Sequence, residues 1–102
     1  MRPQSPVSLP PVILLHPDDN VLVCRSPVAA GDRFELDGQV LAALDDIEIG
    51  HKIARKALKV GDKIIKYGAP IGSASADIDV GAHVHLHNLK SDYIASHTRE
   101  TN

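Results

Sequence analysis

Short apolar stretches separated by glycine run through the middle of the chain. Four segments share the form apolar-x-x-Gly-x-x-apolar, at residues 28–34, 47–53, 58–64 and 78–84. A glycine between short apolar stretches is typical of a tight turn that leads the chain into its next strand. The pattern therefore predicts many short strands joined by sharp turns.

The glycines of these segments form an internal repeat. Gly31 and Gly50 are spaced almost like Gly61 and Gly81, and the sequence around the first pair resembles that around the second. A unit of about thirty residues seen twice is not a solenoid, which needs three or more units. We interpret it as one domain with pseudo-twofold symmetry, in which His51 is the counterpart of Ala82.

Local patterns place the strands within this frame. Residues 12–15 and 21–24 are strand candidates joined by a turn at 17–20, and Asp37-Gly38 predicts a hairpin between residues 34–36 and 39–41. Residues 41–47 and 51–58 also admit one or two helical turns, but we favour a strand at 51–58 because its counterpart contains the histidines at 83–87. The predicted fold class is mainly β. We divide the chain into a proline-rich extended arm at 1–11, a domain at 12–90 and a tail at 91–102.

Composition limits the classes of function. The 102 residues suffice for one domain, and with 43% hydrophobic but only 3% aromatic residues the core must consist of Val, Ile, Leu and Ala. The net charge of −2 and the lack of a long basic run argue against nucleic acid as a partner. No segment of the sequence approaches the roughly 18–20 consecutive apolar residues that a membrane span needs. The single Cys24 excludes an intrachain disulfide and fits a reducing compartment, so we predict a cytoplasmic protein.

Three histidines at every second position form the strongest chemical signal. His83, His85 and His87 would project from one side of a strand, with neighbours about 6.5–7 Å apart. Such a pair can ligate one metal ion or polarise one substrate, and we name His85 and His87 as candidate metal ligands. A solvated strand face is the alternative interpretation.

The order of these landmarks resembles a known family. Residues 16–89 are similar to the N-terminal SAF-type, or β-clip, domain of altronate and galactarate dehydratases. The resemblance rests on Asp19-Asn20-Val21, Gly50-His51-Lys52, Lys66-Tyr67-Gly68, Pro70-Ile71-Gly72 and Gly81 followed by the histidines and Asn88. Each match alone is weak, but their order and spacing over some seventy residues are specific.

The resemblance implies a lyase that removes water from a sugar acid and forms a 2-keto-3-deoxy acid. In that family the module precedes a much larger catalytic domain, so we expect this chain to be a non-autonomous small subunit beside a large catalytic subunit, or an excised domain. The family also implies a divalent metal, iron(II) or manganese, without showing that this chain binds it. The candidate catalytic residues are His85, His87 and His51. The candidate substrate-binding residues are His83, Asn88, Lys52 and Lys66, whereas Tyr67 is expected to serve packing.

Two alternatives remain open. The small subunit of sulfolactate sulfo-lyase carries the same module, and its reaction expels sulfite in place of water. A non-catalytic SAF-type module that binds sugars would use the histidine strand as a polar binding face. The isolated chain is also expected to self-associate if an apolar face normally covered by a large domain is left exposed.

Overall fold

The computed structural model describes residues 10–36 and 38–92, which form short antiparallel strands and turns. The strands are β1 (Val12–Ile13), β2 (Val21–Cys24), β3 (Arg33–Leu36), β4 (Gln39–Ala42), β5 (Lys52–Ala54), β6 (Lys63–Lys66), β7 (Ala69–Ala74), β8 (His83–Val84) and β9 (Leu89–Lys90). They form a four-stranded sheet in the order β1-β2-β5-β8, a β3-β4 hairpin and a three-stranded sheet in the order β6-β7-β9. The predicted mainly β fold is therefore confirmed.

The four-stranded sheet lies between two apolar cores. Side chains alternate between the faces of a strand, so Ile53 belongs to one core and its neighbour Ala54 to the other. The first core consists of Val12, Leu22, Cys24, Val28, Phe34, Leu41, Ala43, Ile47 and Ile53. The second consists of Val21, Ala54, Leu58, Ile64, Ala74, Ile78 and Val84. Each half of the sequence thus supplies most of one core.

The internal repeat is visible in the backbone hydrogen bonds. Val28 and Ile47 form an isolated bridge in the first half, and Leu58 and Ile78 form its equivalent in the second. Turn residues repeat as well, because Asp46 accepts a hydrogen bond from the Ala30 amide at 2.8 Å, as Asp77 does from the Val60 amide at 3.0 Å. Two copies of one turn–strand unit therefore build the pseudo-twofold domain.

The His51 carbonyl occupies the place that the symmetry predicts. It accepts a hydrogen bond from the Cys24 amide at 2.9 Å, and the Ala82 carbonyl accepts the equivalent bond from Ala54 at 2.9 Å. The equivalence of His51 and Ala82 matters because it sets a histidine beside the strand that begins at His83.

The predicted strands at the beginning of the domain are present with modest changes of length. β1 pairs with β2, and β3 pairs with β4 so that Leu36 lies opposite Gln39. At 51–58 the strand covers only Lys52–Ala54, and residues 41–47 contain the end of β4, bends and a bridge. Asp37 of the predicted hairpin lies outside the described residues. Most of the arm at 1–11 and of the tail at 91–102 also lies outside them, so the domain boundaries stay predictions.

Tyr67 does not serve packing as predicted, because its side chain is 68% exposed. It begins a two-residue turn between β6 and β7, in which Tyr67 has a φ of 59° and Gly68 a φ of 74°. Positive φ at both central positions is the signature of a type I′ hairpin turn. The buried carboxylate of Asp19 accepts hydrogen bonds from both turn amides, at 3.0 Å and 2.8 Å. The turn therefore directs the tyrosine outward.

Within residues 10–36 and 38–92, no helix has the length and apolar character needed to cross a bilayer.

Candidate functional site

The histidine strand is shorter than the alternation of residues predicts. β8 ends at Val84, and residues 85–88 form a turn in which the Asn88 amide donates to the His85 carbonyl at 3.1 Å. The Asn88 side chain closes the turn, since its oxygen accepts from the His85 amide at 2.9 Å and its nitrogen donates to the His83 carbonyl at 2.8 Å. The prediction of three imidazoles in a row on one strand is therefore wrong.

The turn and the strand pairing bring three histidines from distant parts of the sequence together. β5 pairs with β8 so that Ile53 lies opposite His83, and the same register sets His51 opposite position 85. His51, His83 and His85 each offer a ring nitrogen, and these atoms lie within 4.8 Å of one another. We call these three residues the histidine cluster.

The rings of the histidine cluster are nearly parallel. His51 Nδ1 and His83 Nε2 are 2.9 Å apart, so one of these rings donates an N–H to the other. His51 and His85 have centroids 4.3 Å apart with planes 10° from parallel, which is an offset stack. Across the cluster the ring centroids lie no more than 5.4 Å apart. Close packing of this kind is favourable only while most of the rings are uncharged, because protonated rings at these distances would repel each other.

Electrostatics favour the neutral form of two members. Burial, followed by the charges of His87, His51 and His85, lowers the pKa of His83. Burial also lowers the pKa of His85, and the charges of His51 and Lys52 add to the effect. Both imidazoles therefore stay unprotonated to a lower pH than a free histidine, which leaves nitrogen lone pairs available as bases or ligands.

Two carboxylates from the preceding turn contact the cluster. Asp45 accepts a hydrogen bond from the backbone amide of His83 at 2.9 Å and so fixes the start of β8. The Glu48 carboxylate lies 3.9 Å from His51 Nε2. The sequence interpretation missed both roles. Asp45 precedes His83 by 38 residues, and only the pseudo-twofold arrangement brings the two segments together. Glu48 lies three residues before His51, and that short spacing was the signal that could have indicated its contact.

A lysine pair completes the chemistry near the cluster. Lys52 is half-buried on β5, and burial together with the charge of Lys66 lowers its pKa. The two predicted substrate-binding lysines therefore lie close enough to influence each other. Lys52 also provides positive charge near His85. Such a pair suits the binding of a carboxylate.

Two other predicted site residues have different positions from those expected. Asn88 is 8% exposed and both of its side-chain polar atoms bond the backbone of the turn, which leaves little of it accessible for the predicted contact with a substrate. His87 is exposed, with its ring centroid 5.2 Å from that of His83. His85 groups with His51 and His83, and the predicted metal-binding pair of His85 and His87 stays a prediction.

Comparison with known proteins identifies a family whose sequences match this chain. The family model described as "Altronate/galactarate dehydratase SAF domain" matches residues 10–92. The altronate dehydratase of Bacillus subtilis is 45% identical over 80 residues, which are 78% of this chain and 16% of that protein. The altronate dehydratase of Escherichia coli is 41% identical over the same share of each chain. This chain thus spans about a sixth of the length of these relatives.

A second kind of relative is much shorter. The (2R)-sulfolactate sulfo-lyase subunit alpha of Paracoccus pantotrophus is 57% identical over 51 residues, which are 50% of this chain and 76% of that subunit. The same module therefore occurs as a small part of long dehydratases and as most of a short lyase subunit.

Proposed function

This chain belongs to the altronate/galactarate dehydratase SAF-domain family, and from that premise we propose that it is the small module of a hydroxy-acid lyase. A much larger catalytic polypeptide, either a separate subunit or the rest of a longer chain, completes the enzyme. The family match over residues 10–92 carries the proposal. The match with the Bacillus subtilis dehydratase supports it, because it covers 78% of this chain but only 16% of that protein. Isolated, a module of short strands offers an open histidine surface, whereas elimination chemistry needs an enclosed, pre-organised site.

The proposed reaction is the dehydration of a sugar acid of the altronate or galactarate type to a 2-keto-3-deoxy acid. A base removes the proton next to the carboxylate, the hydroxyl on the neighbouring carbon leaves as water, and the resulting enol tautomerises to the ketone. A 2-hydroxy acid with a sulfonate leaving group is the second candidate substrate, because subunit alpha of the sulfo-lyase is 57% identical over half of this chain.

The histidine cluster and its neighbours supply the groups that this reaction requires. An uncharged imidazole accepts a proton near neutral pH, and an imidazolium donates one to a leaving group. The lowered pKa values of His83 and His85 favour the basic form. We assign proton transfer to the histidine cluster with His87, and binding of the substrate carboxylate to Lys52 and Lys66.

The complete enzyme is proposed to use iron(II) or manganese, as the family resemblance implies. When bound, such an ion supplies Lewis acidity to the carboxylate and to the negative charge that develops beside it. A cytoplasmic location is also part of the proposal, since the thiol of Cys24 is buried and unpaired.

Recovery of the natural assembly tests the proposal. An affinity tag at the chromosomal copy of this module recovers whichever polypeptide carries it, together with its partners, for identification by mass spectrometry. We expect a large lyase polypeptide, either fused to the module or bound in stoichiometric amount, and turnover of altronate, galactarate or sulfolactate in the presence of iron(II). A module that elutes without any large polypeptide and binds sugar acids unaided would contradict the proposal and favour the non-catalytic binding module.

A further inference from the structure

The histidine cluster has the composition and spacing of a metal centre that depends only on this chain. Three ring nitrogens, one from each residue, lie within 4.8 Å of one another, and the pairing of β5 with β8 holds the backbone beneath them. We propose that His51, His83 and His85 form a three-imidazole site for a divalent transition-metal ion. This inference concerns binding by the chain alone and does not rest on the lyase reaction. A ring nitrogen that binds an ion cannot accept a proton at the same time, so in a metal-loaded chain the proton transfer proposed above falls to His87.

One atom in the cluster lacks a partner that its burial would require. His85 Nδ1 is inaccessible to solvent and makes no hydrogen bond within the described residues. Nearly all buried polar atoms in proteins have a partner, and exceptions call for a specific explanation. His51 and His83 each offer a ring nitrogen within 4.8 Å of a ring nitrogen of His85, so a shared cation that binds His85 through Nδ1 would give this atom a partner.

The distances are compatible with coordination after small side-chain movements. A tetrahedral ion with metal–nitrogen bonds of about 2.0–2.1 Å separates its ligand atoms by about 3.3–3.4 Å. His51 Nδ1 and His83 Nε2 are 2.9 Å apart, slightly less than that value, and the three ligand atoms all lie within 4.8 Å of one another. Rotations of the imidazoles can change these distances by the required few tenths of an ångström to about 1.5 Å without moving the strands.

The surroundings provide outer-shell carboxylates. Metal-bound histidines usually direct their second nitrogen toward a carboxylate or carbonyl, which orients the ring. The Glu48 carboxylate, 3.9 Å from His51 Nε2, is suited to that position, and Asp45 anchors the His83 backbone at 2.9 Å. Three protein ligands also leave a position for water or a substrate oxygen, as in catalytic rather than structural zinc sites.

The donor set determines which ions bind. Three neutral imidazoles without a thiolate suit Zn²⁺, Fe²⁺, Co²⁺, Ni²⁺ and Cu²⁺, whereas Mg²⁺ and Ca²⁺ require oxygen ligands. By the same chemistry, iron(II) fits this cluster better than manganese(II). The chain should therefore bind Co²⁺ and Zn²⁺ in the presence of a large excess of Mg²⁺.

Titration of the full 102-residue chain, with every affinity tag removed, tests the site. Co²⁺ is added to chelator-treated protein and followed by its visible absorption, and Zn²⁺ is then used to displace it. We expect one equivalent of Co²⁺ per chain. Loss of an outer-shell partner alone costs 10–100-fold in affinity, so His51→Ala, His83→Ala and His85→Ala should each weaken binding about 100-fold or more. The variant His16→Ala should bind like the wild type.

The substitution His87→Ala distinguishes the proposed site of His51, His83 and His85 from an alternative site formed by His85 and His87. We expect it to change the affinity less than threefold. Far-UV circular dichroism of each metal-free variant confirms that it is folded, and if an alanine variant is unfolded, the corresponding glutamine variant replaces it. Failure of the wild type to bind a stoichiometric ion, or a loss with His87→Ala as large as with His85→Ala, would overturn the inference.

Discussion

The side chain of Asn88 determines where the histidine segment leaves the sheet. Its oxygen and nitrogen bond the backbone of His85 and His83, so the chain turns directly after Val84. The turn bonds directly to the backbone of His85, whose ring is stacked on that of His51 with the centroids 4.3 Å apart. A residue with no direct chemical role thus positions the histidine cluster.

Replacing Asn88 by alanine should destabilise the protein and disturb the cluster. The change removes the side-chain partner of the His85 amide and of the His83 carbonyl. Asn88 itself is only 8% exposed, so these backbone groups lie in a largely buried place. Buried groups left unsatisfied cost about 1–3 kcal/mol, and urea denaturation measures the loss. Lys56→Ala, at an exposed position in the bend after β5, should change stability by less than about 0.5 kcal/mol. Equal stability of the two variants would contradict this role of Asn88.

Asp92 links the end of the described chain to the three-stranded sheet. Its carboxylate accepts hydrogen bonds from Lys63 Nζ at 2.6 Å and from Ser73 Oγ at 2.8 Å and 2.9 Å. The hydrogen bond from Lys63, followed by that from Ser73, lowers the pKa of Asp92. The folded state therefore holds the ionised carboxylate better than the unfolded state does.

The sign of this pKa shift predicts a pH dependence. A lowered pKa in the folded state contributes stability above the unfolded value of about 3.9, and the contribution disappears as the pH falls through the folded pKa. Asp92→Asn should therefore melt at a lower temperature than the wild type at pH 6, and the difference should vanish in acid. The exposed-carboxylate variant Glu35→Gln should show little difference at either pH. A difference for Asp92→Asn that is constant with pH would contradict the assigned contacts.

At the scale of elements, the two repeats have similar hydrogen bonds but differ in how closely other atoms approach their turn glycines. Gly50 and Gly81 occupy equivalent turns with φ values of 85° and 90°. A Cβ atom on Gly50 would meet nothing within 4 Å, whereas one on Gly81 would collide with the Ala42 carbonyl oxygen. Gly81 is crowded because the end of the β3–β4 hairpin lies against it. There the Leu44 amide donates a hydrogen bond to the Gly81 carbonyl at 2.8 Å.

Alanine substitutions at these two glycines form a matched pair. The positive φ alone costs an L-residue about 1–2 kcal/mol, which is the loss expected for Gly50→Ala. Gly81→Ala adds a backbone collision, and overpacking typically costs a further 1–3 kcal/mol, so its total loss should be about 2–5 kcal/mol. Urea denaturation of both variants provides the comparison. Equal losses would show that the close approach of Ala42 to Gly81 is absent in solution.

The sequence predicted elements well where short-range signals determine them. An apolar stretch after a turn signal located β2, and the repeat made His51 the counterpart of Ala82, the residue before His83, because both depend on local patterns and their spacing. The extent of the histidine strand was wrong, since the turn at 85–88 depends on Asn88 bonding back to backbone that alternation does not reveal. Tyr67 was misplaced for a similar reason, because a buried aspartate far away in sequence stabilises its turn.

At the scale of the whole molecule, several large apolar side chains remain uncovered. Leu86 is 79% exposed beside the histidine cluster, and Leu44, Ile49, Val40 and Val60 are each at least half exposed. Long dehydratase relatives contain about six times the length matched by this chain, which gives ample protein to cover such side chains. We therefore expect the isolated chain to self-associate at high concentration and the complete enzyme not to do so through these side chains, which sedimentation velocity measures.

In the proposed enzyme, this module contributes its histidine surface to a site that a larger polypeptide otherwise builds. The most direct test compares turnover and assembly of the purified natural complex with wild-type module, with His85→Ala and with the exposed-lysine control Lys56→Ala. Removing a general acid or base typically costs 10²–10⁴-fold in rate. We therefore predict that His85→Ala lowers kcat at least about 100-fold while the large polypeptide still binds in stoichiometric amount. Wild-type turnover by an assembled His85→Ala complex would contradict the claim.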